Sequence, residues 1–439
     1  MMMTRMTFKV LVLMAALQVS ASALAAPVLP QYSPHKSMGV GSCASSLCHG
    51  AVDKWTNSRI LQNEYVTWSR SDKHARAYAV LLNARSKEIA RKLGLSEPAH
   101  RANICLDCHA HNVPAPQRGE GFVLADGVTC ESCHGAAELW LRSHVERDAR
   151  HEDNLAKGLY PASDHVARAR LCLSCHFGTK DKLVTHKLMA AGHPRMSFEL
   201  DTFTQIQPAH FRAKDRQIWD GVRIWAIGQA LAAHELLEIL NDPHRGRAGL
   251  FPELVLFDCH SCHRKMSDGR YAGLRLGVGP GVVRLNDSSL LMVLQIARSV
   301  DPAGQQRLAQ QVRSLHRAVA AGDDALVHAR SVQATLAHLV PQISAHRFSD
   351  KDMRGILIGL IDDGLAGQYG DYQGAEQAVM ALQAVADFMV RRGALHAAAV
   401  APDMRRLIAL LDNDENYSAA AFAKALQELR SGLEKGGKR

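Results

Sequence analysis

Ten cysteines fall in five pairs: Cys43 and Cys48, Cys105 and Cys108, Cys130 and Cys133, Cys172 and Cys175, Cys259 and Cys262, with none after residue 262. A histidine follows the second member of every pair, as His49, His109, His134, His176 and His263. With 23 histidines in 439 residues, chance would produce this on the order of once in a million trials. The spacing C-x-x-C-H has a mechanical use. Two cysteines about one helical turn apart present their sulfurs to the two vinyl groups of a haem, and the adjoining histidine stands beneath the iron as axial ligand. Four pairs have this spacing. The first reads Cys43-Ala-Ser-Ser-Leu-Cys48-His49, which keeps the cysteine–histidine junction and lengthens only the loop before it. The reading is therefore five covalently bound haem c groups, with the ten cysteines as attachment points and the five histidines as proximal ligands. Structural zinc competes, since C-x-x-C pairs also build zinc sites, but zinc usually takes its pairs two at a time and five is odd. Disulfide exchange would not need the histidines.

Five irons need five further ligands if each is to be six-coordinate, the state suited to electron shuttling, whereas catalysis needs an open face. Outside the motifs, residues 27–279 offer His35, His74, His100, His111, His144, His151, His165, His186, His193, His210, His234, His244 and His260. From these, His74, His144, His186, His193 and His210 are taken as the distal candidates, with His234 in reserve. His144 lies ten residues beyond His134; if GAAELWLRS is helical the two are ~15 Å apart, and His144 serves a neighbouring haem. His186 and His193 share one helical face if AAG stays helical, and then reach different irons. Met189, Met196 and Met266 are alternative ligands that would raise the potential. For a lone histidine the ordinary reading is a hydrogen-bonded or exposed side chain, and His316, His328, His338, His346 and His396 are read that way.

The segments WSRSDKHARAY (68–78), CLDCHAH (105–111), GVTCESCHG (127–135), CLSCHFGT (172–179) and HKLMAAGHPRMSFELD (186–201) resemble the multihaem c-type cytochromes related to the tetrahaem electron carrier of ammonia oxidisers. The similarity covers roughly 40–265. It implies an exported electron carrier or haem redox enzyme, and a distal ligand at His74. The lengthened first motif and the long C-terminal region depart from that pattern. No motif ends in lysine, so the open lysine-ligated haem of the pentahaem nitrite reductases has no counterpart.

The elements that must position these residues follow from patterning. Aromatics make up only 5% of the chain and the motifs crowd together, leaving too little polypeptide for a separate core around each. Short helices and long loops around close-packed porphyrins are expected, with a longer helix over 60–94 and another over 217–240. The fold class is mainly α: a multihaem cytochrome c domain (27–272), a glycine-rich linker (273–287) and a haem-free helical bundle (288–439). In the bundle SSLLMVLQIARSV, QQRLAQQVRSLHRAVAA, DMRGILIGLIDDGLA, GAEQAVMALQAVADFMVRR, DMRRLIALL and AAAFAKALQELRSGL show three-and-four apolar spacing. Gly322, Pro341, Gly370, Gly393 and Pro402 punctuate it.

Residues 1–26 read as a signal peptide: Arg5 and Lys9, an apolar run from Val10 to Val19, and the small residues of an A-x-A site at Ala23, Leu24 and Ala25. The expected location is the periplasm. The formal net charge is +9, and most of the excess precedes residue 280, where haem propionates would neutralise it. Nucleic-acid binding has no aromatic platform or recognition motif behind it. The expected function is an electron carrier whose partners are other redox proteins, either a quinol-oxidising membrane complex or soluble cytochrome and a terminal reductase; peripheral membrane association is compatible with this and the oligomeric state is open. The alternative is an oxidoreductase acting on hydroxylamine, nitrite, tetrathionate or a similar small nitrogen or sulfur compound at one five-coordinate haem.

Overall fold

A computed structural model describes residues 26–58, 60–212, 220–245, 252–263 and 283–436. The signal segment up to residue 25, Trp219, Met266 and most of the glycine-rich linker lie outside these. The described residues are mainly helical, with no strand beyond two isolated bridges, Ser37 with Arg118 and Phe257 with Leu285. None of their helices is long and apolar enough to cross a membrane.

The helices are α1 Glu64–Ser71, α2 Ala77–Val80, α3 Ala84–Leu93, α4 Asn103–His109, α5 Cys130–His134, α6 His151–Ala156, α7 His165–His176, α8 His186–Ala190, α9 Leu200–Ile206, α10 Gly221–Asn241, α11 Ser288–Val300, α12 Pro302–Ala321, α13 Ala325–Ala345, α14 Asp350–Leu365, α15 Tyr372–Arg391, α16 Ala401–Ala409 and α17 Ala419–Gly436. Side chains that cap backbone amides start several of the first nine. Asn83 accepts from Ser86 N, Asp164 from Ala167 N and Thr185 from Leu188 N, each satisfying a donor that the first turn leaves open.

Three expected helical stretches are corrected here. Residues 60–94 form α1, a 3-10 turn, α2 and α3 rather than one helix, because Asp72 turns its carboxylate onto His74 N and Asn83 starts a new helix. The stretch after His134 is not helical: Gly135 has φ +82°, a left-handed conformation that ends α5. The helix after His186 stops at Ala190, and Gly192 at φ +119° turns the chain before His193.

In the C-terminal region the six expected segments all lie on helices. α13 lies outside those six segments, and Pro341 sits inside its final turns instead of ending it. Gly322 caps α12 with φ +71°. The core crosses the expected linker. α10 precedes it, yet α10 packs most extensively against α13 and also against α7, α9, α11 and α15, and Val222, Trp225, Ile227, Leu237 and Ile239 are fully buried in the same cluster as the bundle residues. The described end of the linker is anchored too, with Arg284 and Leu285 buried.

Candidate redox centres

Ahead of α10 the chain has little apolar core of its own. Two small clusters occur, one of Leu81, Ala90, Ala99, Leu106 and Ala110, the other of Ile89, Val184, Leu188 and Ala191. Of the large hydrophobic side chains left exposed among the described residues, only Val327, Leu365 and Ile408 lie in the bundle; the others, including Leu47, Val52, Ile104, Val145 and Leu254, precede it in the chain.

Each motif is held differently. In the first, Cys48 N donates to Ser45 O at 2.9 Å and His49 N to Cys43 O at 3.1 Å, so the extra residues fold into a compact turn. The second occupies α4. The third occupies α5, begun by a reciprocal Thr129–Ser132 capping box, and Glu131 inside it accepts from the backbone amides of Met38, Gly39 and Ala137, each at 2.8 Å. That carboxylate ties the N-terminal segment to the motif. The fourth ends α7, and the fifth forms a 3-10 turn over Cys259–Ser261 with His263 N donating to Cys259 O at 2.7 Å. No two of the ten cysteines are joined by a disulfide.

The structure brings each motif histidine opposite one other histidine. Ring centres lie 6.4 Å apart for His49 and His144, 6.4 Å for His109 and His193, 6.3 Å for His134 and His210, 5.9 Å for His176 and His74, and 6.0 Å for His263 and His186. A metal held between two imidazole nitrogens at about 2 Å each, with about 1 Å more from nitrogen to ring centre, separates the centres by about 6 Å. These side chains fit a six-coordinate iron. The rings are also oriented by their other nitrogen. His49 Nδ1 lies 3.0 Å from Glu64 Oε2, His74 Nδ1 2.9 Å from Asp72 Oδ1, His109 Nδ1 3.0 Å from Ala77 O, His144 Nδ1 3.2 Å from Trp140 O and His193 Nδ1 2.8 Å from Pro194 O. An Nδ1–H that donates to oxygen leaves the Nε2 lone pair for a metal, the arrangement by which outer partners fix a ligand's tautomer and raise its basicity.

The electrostatic settings differ. The hydrogen bond that His49 donates to Glu64 raises its imidazole above the ordinary value, and the one that His74 donates to Asp72 does the same for His74. Burial pushes His134 down to about 4, with His210 adding to it, and burial also lowers His176 and His193. Sequence reasoning did not find Glu64 or the carbonyl partners; only Asp72, two residues before His74, carries a local signal.

The remaining candidates have other neighbours. His111 is buried with Nε2 2.8 Å from Ser37 Oγ, His100 sits edge-on to Tyr78, and His165 lies 3.0 Å from an Arg168 nitrogen. His234 groups with Glu235 and Glu238 on α10, and His260 stacks on Tyr417. In the bundle His316 is a core residue, 3.0 Å from Asp287. Met189 and Met196 line a cavity that also touches His176 and Cys259.

Residues 42–135 match the family model described as cytochrome c554 and c-prime. No curated protein and no solved structure matches the chain. The matched segment carries the first three motifs and relates this chain to the haem-binding c-type cytochromes, which gives it a redox role. The fourth and fifth motifs, α10 and the bundle lie beyond the match to cytochrome c554 and c-prime.

Proposed function

We propose that the chain is an exported pentahaem c-type cytochrome of the periplasm that carries electrons between redox partners through closely spaced centres. The observation that carries this is the five histidine pairs: every motif histidine faces one distal histidine at a separation suited to a shared iron. Haem c, when bound, supplies a one-electron iron couple. The chain's own residues anchor it through Cys43, Cys48, Cys105, Cys108, Cys130, Cys133, Cys172, Cys175, Cys259 and Cys262. His49, His109, His134, His176 and His263 are the proximal ligands, with His144, His193, His210, His74 and His186 opposite them in that order. Two imidazoles on each iron favour a lower potential than a methionine would.

Spacing supports conduction as well. The Cys43 and Cys130 side chains are close enough to influence each other's ionisation, as are those of Cys108 and Cys175. Cys133 interacts electrostatically with Cys172 and Cys175, and one cavity touches both His176 and Cys259. The order that follows runs from the first centre to the third and then the fourth, with the second and fifth adjoining the fourth. The partners on this reading are other redox proteins, a membrane quinol-oxidising complex or soluble cytochrome on one side and a terminal reductase on the other.

The test is the mass of the mature holoprotein together with spin resonance of its ferric form. Five haems added to the polypeptide mass and five low-spin signals are expected. A mass equal to the bare polypeptide would overturn the reading. A high-spin signal from about one-fifth of the iron would instead favour the alternative, catalysis on a small nitrogen or sulfur compound at an open haem face.

A further inference from the structure

The cavity beside Cys259 has a wall built by the C-terminal helices. One side is apolar, with Val184, Met189, Leu200 and Leu256, while α15 contributes Gln373, Glu376 and Gln377. Facing them is Arg195. Its guanidinium donates to both oxygens of Glu376 at 3.0 and 3.1 Å and lies 5.2 Å from the Tyr372 ring centre. Both charged side chains are largely buried, at 23% and 17% exposure, so solvent screens them little. Arg195 also interacts electrostatically with the thiol of Cys259. The amide oxygens of Gln229 and Gln373 on the same wall are buried without a partner, an arrangement that suits a polar group entering the cavity.

We infer that the bundle sets the redox poise of the fifth centre: α15 presents Glu376, paired with the facing Arg195, to the haem of Cys259, Cys262 and His263, and the pair's balance of charge fixes that centre's potential. This rests on the proposed haem at the fifth motif. A fixed positive charge stabilises the reduced form of a nearby iron and a fixed negative charge the oxidised form. As a pair the two nearly cancel, so removing either one exposes the other. It also gives the C-terminal region a redox task, since the helix that carries Glu376 is part of the bundle core.

The experiment is a spectro-electrochemical titration of the full-length holoprotein and of two variants. Glu376→Gln, nearly isosteric, is expected to raise one of the five components by about a tenfold change in its oxidised-to-reduced ratio, 59 mV for a one-electron couple. Arg195→Gln is expected to lower the same component by a similar amount. Glu434→Gln, which neutralises the exposed partner of Arg430 on α17, should move none. If neither cavity variant moves a component, if both move it in the same direction, or if all five move together, the inference is overturned. Should Arg195→Gln not fold, the Glu376→Gln shift and its confinement to one component decide alone. Holoprotein mass separates the two levels: a protein with fewer than five haems fails the functional reading, whereas five haems with unmoved potentials fail only this inference.

Discussion

From Ser288 onward the chain buries side chains such as Leu290, Val312, Leu336, Leu360, Leu382 and Leu426 in one large core, whereas before residue 212 the separate apolar clusters hold only four and five buried residues each. The helices differ accordingly. Those of the bundle reach 20 or 21 residues, while α5 and α8, which carry candidate ligands, have five each. A helix of five residues has no stability of its own in water. The contrast teaches that one part of the chain is organised by its own hydrocarbon and the other around groups that the amino acids only hold.

The sharpest way to break this comparison is to prevent haem attachment. Expressed without a functioning attachment system, the protein should lose slow hydrogen exchange throughout α1–α9 and keep it in α11–α15; equal protection in both would show that the motif region has a sufficient core without haem. Next in size, Asp287→Ala should cost the bundle up to about 3–5 kcal/mol, because it takes from the buried Arg284 the carboxylate 2.6 Å away and leaves it only Asp371 at 3.9 Å. A thermal melt followed by helix signal measures it, with the haem bands as an internal reference. Burial opposes ionisation of Asp287, but Arg284 and His316 hold its carboxyl below the ordinary range. Its contribution is therefore present above the unfolded value of about 4 and lost as pH falls through the lower folded value. The Asp287→Ala variant should flatten this acid limb.

Leu336→Ala, which truncates a fully buried side chain of α13, should cost about 2–5 kcal/mol in denaturant unfolding of the bundle. The smallest effect is expected in the motif region. Asn83→Ala removes the cap of α3, worth about 0.5–2 kcal/mol in an ordinary helix, but with thioethers pinning the neighbouring segments the haem spectra and their melting should change little. A large loss of haem-band stability would show that capping, rather than attachment, holds that region.

How much could be read without coordinates depends on the range of each interaction. The motifs, the six bundle segments and the capping role of Asp72 are local patterns. Pairing is not. His144 faces His49 rather than the preceding His134, and His186 and His193 serve the fifth and second motifs through a turn at Gly192 that breaks the helix expected to align them. Glu64, fifteen residues from His49, and Glu376, far along the chain from Arg195, became visible only as contacts.

The amino-acid order alone determined the covalent chemistry open to this protein, because thiol and imidazole must adjoin to serve one porphyrin, and it determined helical periodicity, because that repeats within a few residues. Tertiary structure decided which histidine meets which, where the cavity of the fifth motif opens, and that α10 joins the bundle across the linker. Those outcomes depend on packing between segments distant in the chain, for which no local spacing rule exists.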